Sequence, residues 1–80
     1  MKHQNVYNRL RRIEGQIRGI EEMVAKDRSD QDILIQLEAA KSSLSSTIAA
    51  LIESMMEKDP KGSVVLDEEK IKTILRFIRQ

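Results

Sequence analysis

The chain has 80 residues, of which 40% are hydrophobic, and it contains no Trp, one Tyr and one Phe. Its 14 basic and 13 acidic residues give a formal net charge of +1, so overall charge alone does not indicate a nucleic-acid-binding protein. The chain lacks cysteine, which excludes disulfides, zinc-thiolate sites and thiol catalysis.

The first segment predicts a long amphipathic helix over about residues 5–26. Its apolar residues recur at spacings of 4, 3, 4, 3 and 4, the pattern of a helix that packs lengthwise against a partner. These residues are Val6, Leu10, Ile13, Ile17, Ile20 and Val24.

A second helix is predicted over about residues 30–58. Ser29 or Asp30 is suited to the N-cap, and Asp32 adds a negative charge to the first turn. The apolar residues of this helix cover an arc too wide for a single seam, so we expect it to have partners on two sides. The run Asp59-Pro60-Lys61-Gly62 ends the helix, because proline biases the residue before it away from helical angles.

A short third helix is predicted over about residues 67–79. Asp67 is a good N-cap, and Leu66 and Ile71 are spaced to form a hydrophobic staple around it. The apolar face of this helix consists of Ile71, Ile74, Leu75 and Ile78. The sequence therefore predicts one all-α domain, residues 1–80, with three helices.

The amount of apolar surface on helix two predicts self-association. A chain of this size buries only about 60% of its unfolded surface and is marginally stable alone. A single hairpin of helices one and two would also leave the second apolar face of helix two in water. Two hairpins packed into an antiparallel four-helix bundle would bury that face, so we expect at least a dimer.

Arginines are concentrated in helix one, where the segment Arg9–Gly19 reads RLRRIEGQIRG. At 3.6 residues per turn, Arg9, Arg12 and Gln16 fall along one flank of the apolar seam, whereas Arg11 and Arg18 lie on the far side. Arginine suits bidentate contact with phosphate, so these edges are candidate DNA contacts. The alternative is that the arginines are solvated and that Arg18 pairs within the helix with an acidic residue four positions away.

Two glycines interrupt the same helix on the side that faces away from the seam. Gly15 and Gly19 each cost about 1 kcal/mol relative to alanine at an exposed helical position. We therefore expect another helix or a ligand to approach the backbone closely at these positions.

The start of the chain, MKHQNVYNRL, has no apolar segment typical of a signal peptide, and no apolar run approaches the roughly 18 residues of a membrane span. We therefore expect a cytoplasmic protein that does not enter a membrane. An enzyme is not expected, because the chain offers no paired histidine and carboxylate and no glycine-rich phosphate loop after a strand. Four serines lie in the middle of helix two with no base spaced to reach them, so we interpret them as surface or packing residues: Ser42, Ser43, Ser45 and Ser46.

The motif RIEGQIRG (12–19), followed by DILIQ (32–36) and AAKSSL (39–44), resembles the CsoR/RcnR/FrmR family of bacterial transcriptional repressors, and the resemblance spans most of residues 6–59. It implies a dimer built on an antiparallel four-helix bundle of helices one and two, and two dimers in a flat tetramer. It also implies binding of a double-stranded DNA operator without a helix-turn-helix. Arg9 and Arg12 match basic DNA-contacting positions of the family, Gln16 and Arg18 are further candidates from the same helix, and Lys41 is a weaker one.

The sequence departs from the family at the sensing site. The copper branch has a cysteine two residues before the Asp-Ile-Leu run and a His-x-x-x-Cys pair near the end of helix two, and these positions read Asp30, Met55 and Asp59 here. Without thiolate and imidazole ligands, Cu(I) binding of the family type is not expected. Each residue also has an ordinary explanation, as an N-cap, a core side chain and a helix end. We predict no cofactor, and the sequence does not name an inducer.

Two hypotheses follow from these observations. The first is a homotetrameric DNA-binding repressor in which the cysteine-based sensing site is lost or replaced. The second is an accessory subunit that does not bind DNA and forms mixed oligomers with a cysteine-bearing paralogue. The two differ in whether the purified homo-oligomer binds DNA alone.

Overall fold

The computed structural model describes residues 1–56 and 67–79, and the secondary structure in these ranges is helical throughout. These two ranges contain three α-helices, α1 (Gln4–Ala25), α2 (Asp30–Met55) and α3 (Glu68–Ile78). The predicted all-α class is therefore confirmed. The predicted bounds of α1 and α3 differ by one residue at each end, and α2 ends before residue 58. The expected break at Asp59-Pro60-Lys61-Gly62 and the staple partner Leu66 lie outside the described residues.

The starts of α2 and α3 are fixed by side-chain caps. Ser29 is the N-cap of α2, and its hydroxyl oxygen accepts a hydrogen bond of 3.1 Å from the Asp32 backbone N–H. Asp67 caps α3 in the same way, accepting from the Lys70 N–H at 2.7 Å. These bonds satisfy backbone donors that have no partner within the first turn of a helix.

Helices α1 and α2 form an antiparallel hairpin. Residues 26–29 connect them, and the start of α1 returns to the end of α2, where His3 Nδ1 and Ser54 Oγ lie 3.4 Å apart. The buried residues of the pair recur at intervals of seven, with Ile13 and Ile20 on α1 and Ala40 and Thr47 on α2. Thr47 is polar, but its hydroxyl donates to the Ser43 carbonyl oxygen at 2.8 Å, so its burial leaves no donor unsatisfied.

Much of the predicted seam is not covered within the protomer. Leu10, Ile17 and Val24 of α1 are 45%, 39% and 55% exposed, because they lie to one side of the row that contacts α2. The same holds for several large apolar residues of α2. Together they form one apolar surface along the hairpin, which we call the open apolar face: Leu10, Ile17, Val24, Leu37, Leu44, Ile48 and Leu51.

Helix α3 is amphipathic and only partly covered. Of the four residues predicted to form its apolar face, Ile74 is buried, whereas Ile78 is 67% exposed. Ile71 and Leu75 are also exposed. Within residues 1–56 and 67–79, the helices are too short or too polar to cross a lipid bilayer.

The turn between α1 and α2 contains a left-handed residue. Asp27 has φ of 54°, and it directly follows the C-cap of α1. The Asp27 N–H donates to the Val24 carbonyl at 3.1 Å, and the Arg28 N–H donates to the Met23 carbonyl at 3.0 Å. These two bonds form a Schellman motif, in which the left-handed position is usually glycine.

We expect Asp27→Gly to raise the free energy of unfolding by about 0.5 kcal/mol, because relief of roughly 1 kcal/mol of strain is partly offset by the greater freedom of glycine in the unfolded chain. The measurement is urea denaturation at fixed protein concentration. Asp27→Ala is the control, since it keeps the Cβ and should be no more stable than the native chain. Equal stability of the two variants would contradict this explanation.

Candidate nucleic-acid interface

A cleft of about 180 Å³ lies between α1 and α2 on the side of the buried row opposite to the open apolar face. The α1 wall carries three of the predicted DNA-contacting residues, and the α2 wall carries small hydroxyl side chains. We call this feature the arginine cleft, and its lining residues are Arg9, Arg12, Ile13, Gln16, Ser43, Ser46 and Thr47.

Helical spacing explains why these residues meet. Arg9, Arg12 and Gln16 are three and four positions apart, so they lie on one flank of α1. Ser43 stands three and four positions before Ser46 and Thr47 and therefore shares a flank of α2 with them. Small side chains on α2 leave room beside the long side chains of α1, and the buried Thr47 and Ile13 form the floor.

The two guanidinium groups in the cleft are anchored through one nitrogen each. Arg9 Nε donates to Asn5 Oδ1 at 3.3 Å, and Arg12 Nε donates to the Asn8 carbonyl oxygen at 3.5 Å. The ion pairs found among residues 1–56 and 67–79 involve other cations, so neither arginine has a carboxylate of the described chain within 4.0 Å. The α1 wall therefore presents two positive charges that the described residues do not neutralise.

The structure does not bring Arg18 and Lys41 into this cleft. Arg18 Nη1 lies 3.3 Å from Glu14 Oε1, four positions earlier on α1, so its charge is partly compensated on another edge of the helix. Lys41 is exposed and stands one heptad before Ile48, so it lies on the side of the open apolar face. Of the five predicted contacts, Arg9, Arg12 and Gln16 form one cluster.

The hydroxyl wall of the cleft was missed by sequence reasoning, which interpreted Ser43 and Ser46 as surface or packing residues. A recognisable signal was available, because Ser43, Ser46 and Thr47 repeat on α2 the three-and-four spacing of the α1 cluster. Ser43 Oγ donates to the Ala39 carbonyl at 3.1 Å, whereas Ser46 makes no side-chain hydrogen bond within the part of the chain that the structure describes. Ser46 is therefore available as a donor.

The two helical glycines adjoin this surface. Gly19 stands seven positions after Arg12 and about 20° from it around the helix, and a Cβ at Gly19 would meet nothing within 4 Å. A Cβ at Gly15 would meet only the Arg18 guanidinium at 3.8 Å. No described part of the protomer thus makes the expected close approach, and the backbone beyond Arg12 is open to a partner.

The positions that match the family's sensing ligands are far apart in the protomer. Asp30 and Met55 are the first and last residues of α2, about 37 Å apart at 1.5 Å per residue. Asp59 lies outside the described residues. His3 is beside Ser54, and residues 1–56 and 67–79 contain no group of three or more histidine, aspartate or glutamate side chains arranged to hold a metal ion.

Comparison with known proteins identifies related repressors. The sequence profile of the family described as "Metal-sensitive transcriptional repressor" matches residues 2–80. The copper-sensing transcriptional repressor CsoR of Bacillus subtilis (strain 168) is 46% identical over 48 residues, which cover 60% of this chain and 48% of that protein. The copper-sensing transcriptional repressor RicR of Mycobacterium tuberculosis (strain ATCC 25618 / H37Rv) is 43% identical over 49 residues, covering 61% and 51%.

The matches to the two copper-sensing repressors cover only part of each protein. The chain spans about half the length of the curated relatives that it matches. No solved structure matches the sequence at a significant level.

We expect Gly19→Ala to raise the free energy of unfolding by about 1 kcal/mol, because alanine is the better helix former and its Cβ meets nothing within the described protomer. Urea denaturation at fixed protein concentration measures the effect. Gly15→Ala is the matched comparison and should give a similar gain. A loss of stability in Gly19→Ala would instead mean that a second copy packs against the backbone there.

Proposed function

The chain belongs to the family of metal-sensitive transcriptional repressors, and from this membership we propose that it represses transcription by binding double-stranded operator DNA as an oligomer. The observation that carries the proposal is the arginine cleft, where Arg9 and Arg12 lie side by side without a carboxylate among the described residues. DNA binding of this type is driven largely by contacts between cationic side chains and phosphates.

The chemistry of the cleft supports contact with the DNA backbone. Each guanidinium is held through Nε, which leaves the terminal nitrogens of Arg9 and Arg12 to donate in the fork geometry that matches phosphate. Gln16 and the Ser46 hydroxyl add neutral donors beside them. Phosphate contacts position a protein on the duplex without reading the sequence directly, so the operator sequence is read by other contacts or through DNA shape.

The open backbone at Gly15 and Gly19 extends the proposed DNA surface. A phosphodiester backbone seated at Arg12 and running along α1 would pass over Gly19, where the absence of a side chain lets the duplex come close. Under this proposal Gly19→Ala increases stability and weakens DNA binding at the same time. Arg18 and Lys41 lie on other faces of the hairpin, outside this proposed surface.

The open apolar face supports self-association as part of this function. Seven large apolar side chains on one side of the hairpin would be covered if a second hairpin packed against them as a four-helix bundle. This arrangement leaves the arginine cleft of each protomer on the outside, because cleft and open apolar face are on opposite sides of the buried row. The flat tetramer implied by the family resemblance would add two further clefts.

The sensing chemistry is proposed to differ from that of the copper-sensing relatives. Cu(I) is a soft ion that selects thiolate and thioether ligands. This chain contains no cysteine and only one histidine, and the matching positions Asp30 and Met55 offer a carboxylate and a single thioether in place of thiolate and imidazole. These residues do not fit Cu(I), so the signal that releases the protein from DNA has another chemistry.

We expect Arg12→Ala to weaken DNA binding about tenfold and to reduce the slope of log Kd against log salt concentration by about one, because one phosphate contact is lost. Fluorescence anisotropy measures both with a duplex recovered by pull-down from genomic DNA of the source organism. Arg18→Ala is the matched control, since it removes the same charge from the Glu14-paired edge of α1 and should change both quantities less. Equal effects of the two substitutions would contradict a specific role for the arginine cleft.

We expect Leu44→Lys to prevent the chain from forming stable dimers, because the variant would bury a charged ammonium group without a partner in the interface. Sedimentation equilibrium compares the measured mass with the 9.2 kDa of one chain. Ile35→Lys is the control, because Ile35 is exposed and lies nine positions, or 2.5 turns, from Leu44 on the opposite side of α2. If Ile35→Lys prevented dimer formation and Leu44→Lys did not, the interface would lie on the opposite face of α2, and the proposed interface would be wrong.

A further inference from the structure

The arginine cleft consists of hydrogen-bond donors with no opposing negative charge among the described residues. Arg9 and Arg12 are three positions apart on α1, and like charges at this spacing destabilise a helix by a few tenths of a kcal/mol. No acidic residue is among the residues that line the cleft. A bound anion would remove this repulsion and satisfy several donors at once.

Donors converge on the cleft from both helices. Arg9 and Arg12 each keep their terminal nitrogens after the Nε bonds to Asn5 and Asn8. On the facing wall, the Ser46 hydroxyl has no hydrogen-bond partner within residues 1–56 and 67–79. The Gln16 carboxamide, on the same wall as the arginines, also has none there. Guanidinium forks with hydroxyl and amide donors are suited to an oxyanion with several acceptor oxygens.

The size of the cleft is compatible with a small anion. Its volume of about 180 Å³ is enough for several water molecules. A tetrahedral oxyanion with part of its hydration fits this space. The buried Ile13 and Thr47 close the inner side, so the anion would bind at the mouth, against the guanidinium groups.

We propose that the arginine cleft is a binding site for a free tetrahedral oxyanion, such as inorganic phosphate, and that this anion competes with DNA for the same donors. The proposal rests on the proposed function, because it gives the DNA-contacting residues a second, regulatory ligand. The same donors can bind either a phosphodiester of the duplex or a dissolved anion. Occupation by the dissolved anion releases DNA without a metal or a thiol.

Phosphate binding is tested first without DNA. The full chain is titrated with inorganic phosphate and followed by ¹H–¹⁵N NMR, with ionic strength kept constant by replacing sodium chloride. We expect saturable shifts at Ser46, Gln16 and the Arg12 Nε–H. Arg12→Ala should weaken binding about tenfold and Ser46→Ala about threefold, through loss of a charge-assisted or a neutral donor.

Two control variants test whether the cleft itself is responsible. Arg18→Ala removes the same charge from the other edge of α1, and Ser45→Ala removes a hydroxyl group from a neighbouring but differently directed position on α2. Both should leave the phosphate affinity within about twofold of the native value, the scatter expected of sites without contact. Circular dichroism confirms that each variant keeps its helical content. Shifts that do not saturate, or that respond equally to all four substitutions, overturn the proposal.

Competition is tested with DNA present. The affinity for a recovered genomic duplex is measured in phosphate and in chloride at matched ionic strength. We expect a larger loss of affinity in phosphate, and in Ser46→Ala about three times as much phosphate should be needed for the same loss, in line with its weaker anion binding. Equal losses in both salts overturn the competition. If the protein binds no DNA at all, the proposed function fails, and the titration without DNA still decides whether the cleft binds the anion.

Discussion

The narrow contact between α1 and α2 is the constraint on which the rest of the structure depends. Only Ile13 and Ile20 on one helix and Ala40 and Thr47 on the other are buried in it. Small residues on α2 let the helices approach, but they remove little apolar area from water. Most of the large apolar residues on the two helices therefore stay partly or fully exposed and available to a partner. One side carries large aliphatic residues, and the other side carries the guanidinium groups.

The distribution of ion pairs explains how a chain of net charge +1 presents a cationic surface. Arg18, Lys26, Arg28 and Lys72 each lie within 4.0 Å of an acidic residue four positions away in the chain. Such exposed pairs contribute only a few tenths of a kcal/mol each, but they consume the acidic residues locally. Four carboxylates are thus matched with cations outside the cleft, and no acidic residue is among the described residues that line it, so the charges of Arg9 and Arg12 stay uncompensated there.

The helices and their caps were largely predictable from sequence, because 3.6-residue periodicity and residues such as Ser29 and Asp67 act within a few positions of the chain. The burial of individual seam residues was not. Periodicity identifies an apolar arc, but it does not say that Ile13 contacts α2 whereas Ile17 stays exposed. The flank shared by Arg9, Arg12 and Gln16 could be predicted from the periodicity of α1 alone. The position of Ser46 on the facing wall could not be predicted, because the register between two helices depends on their packing, which no local sequence pattern encodes.

The open apolar face also links the amount of protein to its survival. If hairpins associate through this face as proposed, a hairpin with so thin a core would gain much of its stability from association, and the stability of an associating chain rises with its concentration. Newly made chains at low abundance would spend more time unfolded than chains at high abundance. Cellular proteases cleave the unfolded state. Under the proposed function, such a chain would accumulate only above a threshold rate of synthesis, and its control of transcription would switch on sharply rather than in proportion to the number of chains made.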